Sequence, residues 1–175
     1  MGRWQLLSEQ DYRAGQEAGN GMDQVLTQIG ASFSSKTPIA KQLGDWFVKT
    51  QKAALSSTNV DLSIERGLAV EDPAGYRDGS VTQLMMVTSV KVGGADKAKV
   101  LEIKKQDFAN EAKKDGGRTS TQGKVSCQVT AAGLAHGCLI ADGSGWLETE
   151  LIPNAGVTKK DADDMVKALA ALAPR

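Results

Sequence analysis

The chain has 175 residues, with 21 Lys and Arg against 21 Asp and Glu, so its formal charge at neutral pH is zero. That length makes one domain with an apolar core large enough to fold without a metal or a set of disulfides. The charge balance argues against a nucleic-acid binder, which needs a basic excess to neutralise phosphates. No apolar run is long enough to span a bilayer.

Met1-Gly2-Arg3-Trp4-Gln5 leads into no apolar signal region, and Leu6 stands where a myristoylation motif needs Ser or Thr. Ser8 and Asp11 form a short capping box for a helix over about 9–18, which Gly19-Asn20-Gly21 should end. Met22, Val25, Leu26 and Ile29 mark one face of a second short helix. Thr37-Pro38 is an N-cap followed by proline in the first helical position, and Ile39, Leu43, Trp46 and Phe47 give that helix an apolar face to about Leu55. Residues 1–35 are therefore read as a helical N-terminal segment that could serve as a tether, and 36–175 as the folded domain.

Val60, Leu62 and Ile64 alternate with polar residues as a half-buried strand. Residues 71–79 have loop composition, and Glu71, Asp72 and Asp78 make it acidic. Val81 to Val92 is apolar and rich in Val, Thr and Met, as a central strand would be. Gly93-Gly94 ends it, and Val100, Leu101, Lys104, Phe108 and Ala112 then trace one helical face over about 97–114, stopped by Gly116-Gly117.

The tail reads as a three-stranded antiparallel meander followed by a helix starting at Thr158, with Asp161 completing a capping box. Ala162, Met165, Val166, Leu169 and Leu172 are its buried stripe. If Ala132-Gly133 is a two-residue turn, Cys127 lies opposite Cys138. If Asp142-Gly143 is the second turn, Cys138 faces Leu147 and His136 faces Thr149. One face then carries Val125, Cys127, Val129, Cys138, Ile140, Leu147 and Leu151, nearly all apolar. This register predicts a Cys127–Cys138 disulfide and hence an oxidising compartment. Two reduced core cysteines in a cytosolic protein are the alternative. A catalytic thiol would have to use His136, the one histidine of the chain.

No catalytic constellation emerges. His136 alone cannot build a triad or a zinc site, and no phosphate-binding glycine motif is present. No cofactor or metal is expected. Glu71, Asp72 and Asp78 cluster in the acidic 71–78 loop, where carboxylates could serve acid–base work or hold a cation. Leu139 and Trp146 point away from the disulfide face, to be covered by a helix or to form a candidate binding surface.

The unit from about Lys124 to Ala173 resembles the C-terminal unit of exported or membrane-anchored actinobacterial proteins of unknown function. The matching residues are Cys127, Cys138, Ala141-Asp142, Gly145 and the Ala-rich stretch from Ala162 to Leu172, with Ile140 where such units often carry Trp. The resemblance implies an extracytoplasmic domain with a disulfide, anchored through a tether outside this chain.

The fold class expected is α+β: a mostly antiparallel sheet of about five strands with helices packed on it and a C-terminal helix. The function expected is a non-enzymatic extracytoplasmic binding or interaction module, with an envelope protein or an apolar small molecule as partner. A small-molecule-binding or hydrolytic domain using Glu71, Asp72 and Asp78 is one alternative. A cytosolic structural protein is the other.

Overall fold

A computed structural model of the chain describes residues 3–8, 10–11, 14, 61–78, 83–114, 116–152 and 156–172. The described strands are β1 (Gln5–Leu6), β2 (Asp61–Val70), β3 (Leu84–Gly93), β4 (Arg118–Gln122), β5 (Val125–Val129), β6 (Ala135–Asp142) and β7 (Gly145–Ile152). The described helices are α1 (Pro73–Asp78), α2 (Lys97–Lys114) and α3 (Lys159–Leu172). The strands form one sheet in the order β1-β2-β3-β7-β6-β5-β4, antiparallel at every step. The fold is α+β with a C-terminal helix, as expected, but the described residues contribute seven strands to the sheet rather than about five.

The two additional strands lie at the edges. β1 is two residues long, and β4 (Arg-Thr-Ser-Thr-Gln) is exposed at every position. Neither carries the apolar alternation by which a half-buried strand is recognised. Trp4 is buried in the core and Gln5 and Leu6 pair with β2, so this stretch of the N-terminal segment packs with the domain. The helices expected over 9–18, from Met22 to Ile29 and over 37–55 fall outside the described residues, except that Gln10, Asp11 and Ala14 are helical. There the capping box forms: Asp11 N–H donates to Ser8 Oγ at 3.1 Å, and Ser8 Oγ donates to the Asp11 carboxylate at 2.7 Å.

The sheet buries both faces. Met85 and Val87 of β3 join Cys127, Cys138, Ile140 and Leu151 in one core, which Met165, Ala168 and Leu169 of α3 close. Val90 and Val92 of β3 join Leu139 and Trp146 in a second core on the opposite face, under Val100, Leu101 and Phe108 of α2. The buried residues of α2 are Val100, Leu101, Lys104, Phe108 and Ala112, the stripe that its spacing predicts. α3 buries Ala162, Met165, Ala168 and Leu169, with Val166 and Leu172 half-buried at its margin.

Local chemistry sets the element ends. Thr158 and Asp161 form the capping box of α3 through a 3.2 Å Asp161 N–H to Thr158 Oγ1 bond and a 2.8 Å Thr158 N–H to carboxylate bond. α2 ends in a Schellman motif. Gly116 has φ 71°, its N–H bonds the Lys113 carbonyl, and Gly117 N–H bonds the Ala112 carbonyl. The segment expected as an acidic loop is instead the short helix α1, because Asp72-Pro73 works as N-cap and first helical residue: Ala74 N–H donates to Asp72 Oδ1 at 2.9 Å.

The meander keeps its predicted face by a different route. The β5–β6 loop has three residues, not two: Thr130 N–H bonds the Leu134 carbonyl, Gly133 N–H bonds the Thr130 carbonyl, and Gly133 has φ 79°. That shifts the register by one residue, and a bulge between Gln128 and Val129 shifts it back. Cys127 therefore still faces Cys138, while Val129 faces Ala135 rather than His136. The second turn is Gly143-Ser144, so Cys138 faces Thr149 and Ile140 faces Leu147. This differs from expectation by two residues, which preserves the face because side chains alternate with period two.

Gly145 sits where β7 passes closest to β3: an added Cβ would lie 1.9 Å from the Val90 carbonyl oxygen. Gly143, two residues earlier in the turn, has nothing within 4 Å of its added Cβ. Gly145→Ala should therefore lower unfolding free energy by about 2–3 kcal/mol, while Gly143→Ala should change it by under about 0.5 kcal/mol. Urea titration of the two variants checks this, and equal effects would overturn the close-approach argument.

Candidate functional site

Two charged constellations and one open edge stand out among the described residues. The first lies under α2. The helical period that buries Val100, Leu101 and Phe108 also turns Lys104 toward the sheet. Its ammonium lies 2.8 Å from Glu148 Oε2 and 3.0 Å from Oε1. It also lies 5.9 Å from the centre of the Phe108 ring and 5.8 Å from that of Trp146. A cation on two aromatic faces with its own carboxylate is a satisfied buried charge. It clamps α2 to β7.

The second constellation ties the N-terminal strand to α3. Arg3 Nη1 lies 2.7 Å from Glu71, Nη2 bonds Asp161, and Nε lies 3.0 Å from Asp164. The same guanidinium stacks 5.3 Å from the Trp4 ring centre. Burial opposes ionisation of Asp161, but hydrogen bonds from Thr158 and Arg3 outweigh it and hold the carboxyl below its ordinary range. For Arg3, burial works against the cation, and Asp161 and Glu71 overcome it. Nearby, Arg77 of α1 pairs with Asp11, joining the first capped turn to the same corner of the domain.

The open edge is β4. It pairs with β5 in unbroken register from Arg118↔Val129 to Gln122↔Val125, and it is the last strand of the sheet among the described residues. Thr121 Oγ1 lies 3.1 Å from Ser126 Oγ across the strands. Gly117, just before the strand, is fixed by packing: its added Cβ would lie 2.3 Å from the Val129 carbonyl oxygen. The hairpin turns at Gly123-Lys124 with φ 61° at the glycine, the signature of a type II′ turn.

The residues singled out from the sequence are dispersed. Cys127 and Cys138 are bonded across β5 and β6, with Cα atoms 4.0 Å apart. Leu139 and Trp146 are 2% and 3% exposed beneath α2, so they are core and not a surface. His136 is buried on β6, away from the Thr149 partner expected for it. Glu71 is turned to Arg3, Asp72 caps α1, and Asp78 closes that helix exposed to solvent. The acidic loop thus does not converge on a point, and no group of three metal-ligating side chains occurs among the described residues.

Sequence reading missed the Arg3 knot, the Glu148 partner of Lys104, and β4. Asp161 and Asp164, three apart on one helix face, were a signal that a cation would come to them. Comparison with known protein families, curated proteins and solved structures finds no match. Among the described residues no helix is long and apolar enough to cross a membrane.

Two predictions follow from the charges. Removing Glu148 alone (Glu148→Leu) leaves the buried Lys104 ammonium without its carboxylate. It should cost more stability than the double variant Lys104→Met/Glu148→Leu, with a coupling of about 1 kcal/mol read from a double-mutant cycle. The depressed folded pKa of Asp161 means that its contribution is complete above the ordinary aspartate range, about 3.9. It is lost as the pH falls through the lower, folded value. Tm measured from pH 7 to pH 2 should drop steeply below about pH 4 in the wild type, and less steeply in Asp161→Ala. Parallel curves would dismiss the Arg3–Asp161 pair as a contributor.

Proposed function

We propose that this chain is a non-enzymatic binding or interaction module on the extracytoplasmic side of a bacterial envelope. The Cys127–Cys138 bridge carries the reading. A domain with two apolar cores does not need a crosslink in order to fold, so the bond speaks of the compartment: such disulfides persist where the surroundings are oxidising. The partial resemblance of the C-terminal unit to exported actinobacterial proteins points the same way, with membrane attachment supplied by a tether outside this chain.

The interaction half of the reading rests on how the charges are used. Lys104 and Glu148 brace α2, while Arg3, Glu71, Asp161 and Asp164 brace the N-terminal strand, and Asp72 caps a helix. These groups hold the fold together rather than facing one another across a cleft. The partner is another envelope protein or an apolar small molecule.

Thiol alkylation of protein from its own host, read by intact mass, tests the location. No alkylation under denaturing conditions without reductant is the expected result. Two alkylated thiols after denaturation alone would remove the extracytoplasmic reading. The double variant Cys127→Ala/Cys138→Ala should lose about 2–3 kcal/mol in urea unfolding, the loop-closure entropy of an eleven-residue separation.

A further inference from the structure

We propose that β4 is a docking edge for β4 of a second copy, joining two sheets antiparallel about a two-fold axis that passes through Ser120. The inference names a partner for the interaction reading above and does not depend on the compartment.

The backbone parity of the hairpin comes first. Gln122 and Val125 close a two-residue loop, so they form a hydrogen-bonded pair, and such pairs alternate along an antiparallel ladder. Arg118, Ser120 and Gln122 therefore direct their N–H and C=O groups to β5. Those of Thr119 and Thr121 point outward, away from the sheet. The same parity makes Cys127 and Cys138 a non-hydrogen-bonded pair on the next step, which agrees with their short 4.0 Å Cα separation.

The outward groups are self-complementary. With the axis at Ser120, Thr119 of one copy meets Thr121 of the other, twice, and both pairs are of the hydrogen-bonded kind. Four main-chain bonds form, and the cross-strand side-chain pairs are Thr with Thr, which favour pairing. Charge selects this direction. Arg118 is the one charged residue of β4, and antiparallel pairing sets it opposite Gln122 of the other copy. Parallel pairing in register would set the two arginines side by side. Lys124, the next cation along, lies close enough to Asp142 of its own chain to lower the pKa of that carboxyl, although hydrogen bonds from Ser144 do more.

Apart from Arg118 at its start, the edge carries little that blocks such pairing. β4 has no proline, no lysine and no bulge against β5, and all five residues are exposed. The opposite edge, β1, is two residues long. A five-residue edge buries far less than the roughly 1,600 Å² of a standard interface, so association should be concentration-dependent, in the range of about 10 µM to 1 mM.

Sedimentation of the full chain over that range provides the test. The wild-type mass should rise from 18.5 kDa toward twice that value. Thr121→Pro removes an outward N–H and leaves every main-chain β4–β5 bond in place, losing only the hydroxyl contact with Ser126, so it should stay at monomer mass. Thr121→Val, which loses the same hydroxyl but keeps the N–H, should still associate. Amide exchange in the wild type gives an independent reading. The Ser120 amide should be slow at every concentration, while those of Thr119 and Thr121 slow at least tenfold only as the mass rises. A wild type that stays at monomer mass overturns self-pairing and leaves the edge to a strand of another protein. Association without slowing at Thr119 and Thr121, or undiminished in Thr121→Pro, overturns it as well. The alkylation result stands or falls separately.

Discussion

β3 has to be apolar on both faces, and the rest of the domain is arranged around that requirement. Met85 and Val87 feed the core beneath α3, while Val90 and Val92 feed the core beneath α2. A strand buried on both sides needs a hydrogen-bonded neighbour on each edge, because water cannot satisfy its backbone, and a cover on each face. β2 and β7 supply the neighbours, and the two helices close the cores on opposite sides. Gly145 belongs to the same constraint. β7 comes so close to β3 at that point that only a residue without a side chain fits.

The disulfide sits in the more tightly specified half. β5, β6 and β7 form a local meander whose inner face is apolar and covered by α3. Burying one face fixes strand register, because a slip of one residue would turn every inner side chain outward. The three-residue loop and the bulge at Gln128 show that constraint at work: each shifts the ladder by one residue, and together they leave Cys127 opposite Cys138. Gln128 gains a use from the arrangement. It lies opposite Gly137, and its amide reaches the Phe108 carbonyl at 2.9 Å, tying β5 to α2.

Polar chemistry is placed where elements distant in sequence must be held together. Arg3 and Asp161 are 158 positions apart, and Lys104 and Glu148 are 44 apart. Each pair is screened from bulk water by neighbouring side chains, and each aligns an element whose apolar contacts alone would allow sliding. The sheet edges differ in the same terms. β1 is pinned by Arg3 and Trp4 into the core, whereas β4 presents its outer side to solvent.

Spacing along the chain is enough to set the α+β class, the extents of α2 and α3, the capping boxes at Ser8 and Thr158, and the inner face of the meander. These follow from spacing within a short stretch of chain, where one helical or strand period decides what is buried. The acidic segment was legible in composition but not in conformation, since Asp-Pro begins a turn and a helix equally well. Long-range packing places Leu139 and Trp146 beneath α2, turns Glu71 to Arg3 and makes a polar pentapeptide into β4. Those outcomes depend on which distant segment arrives at each face or edge. A strand such as β4, polar on both sides, takes its conformation from the β5 ladder rather than from any pattern of its own.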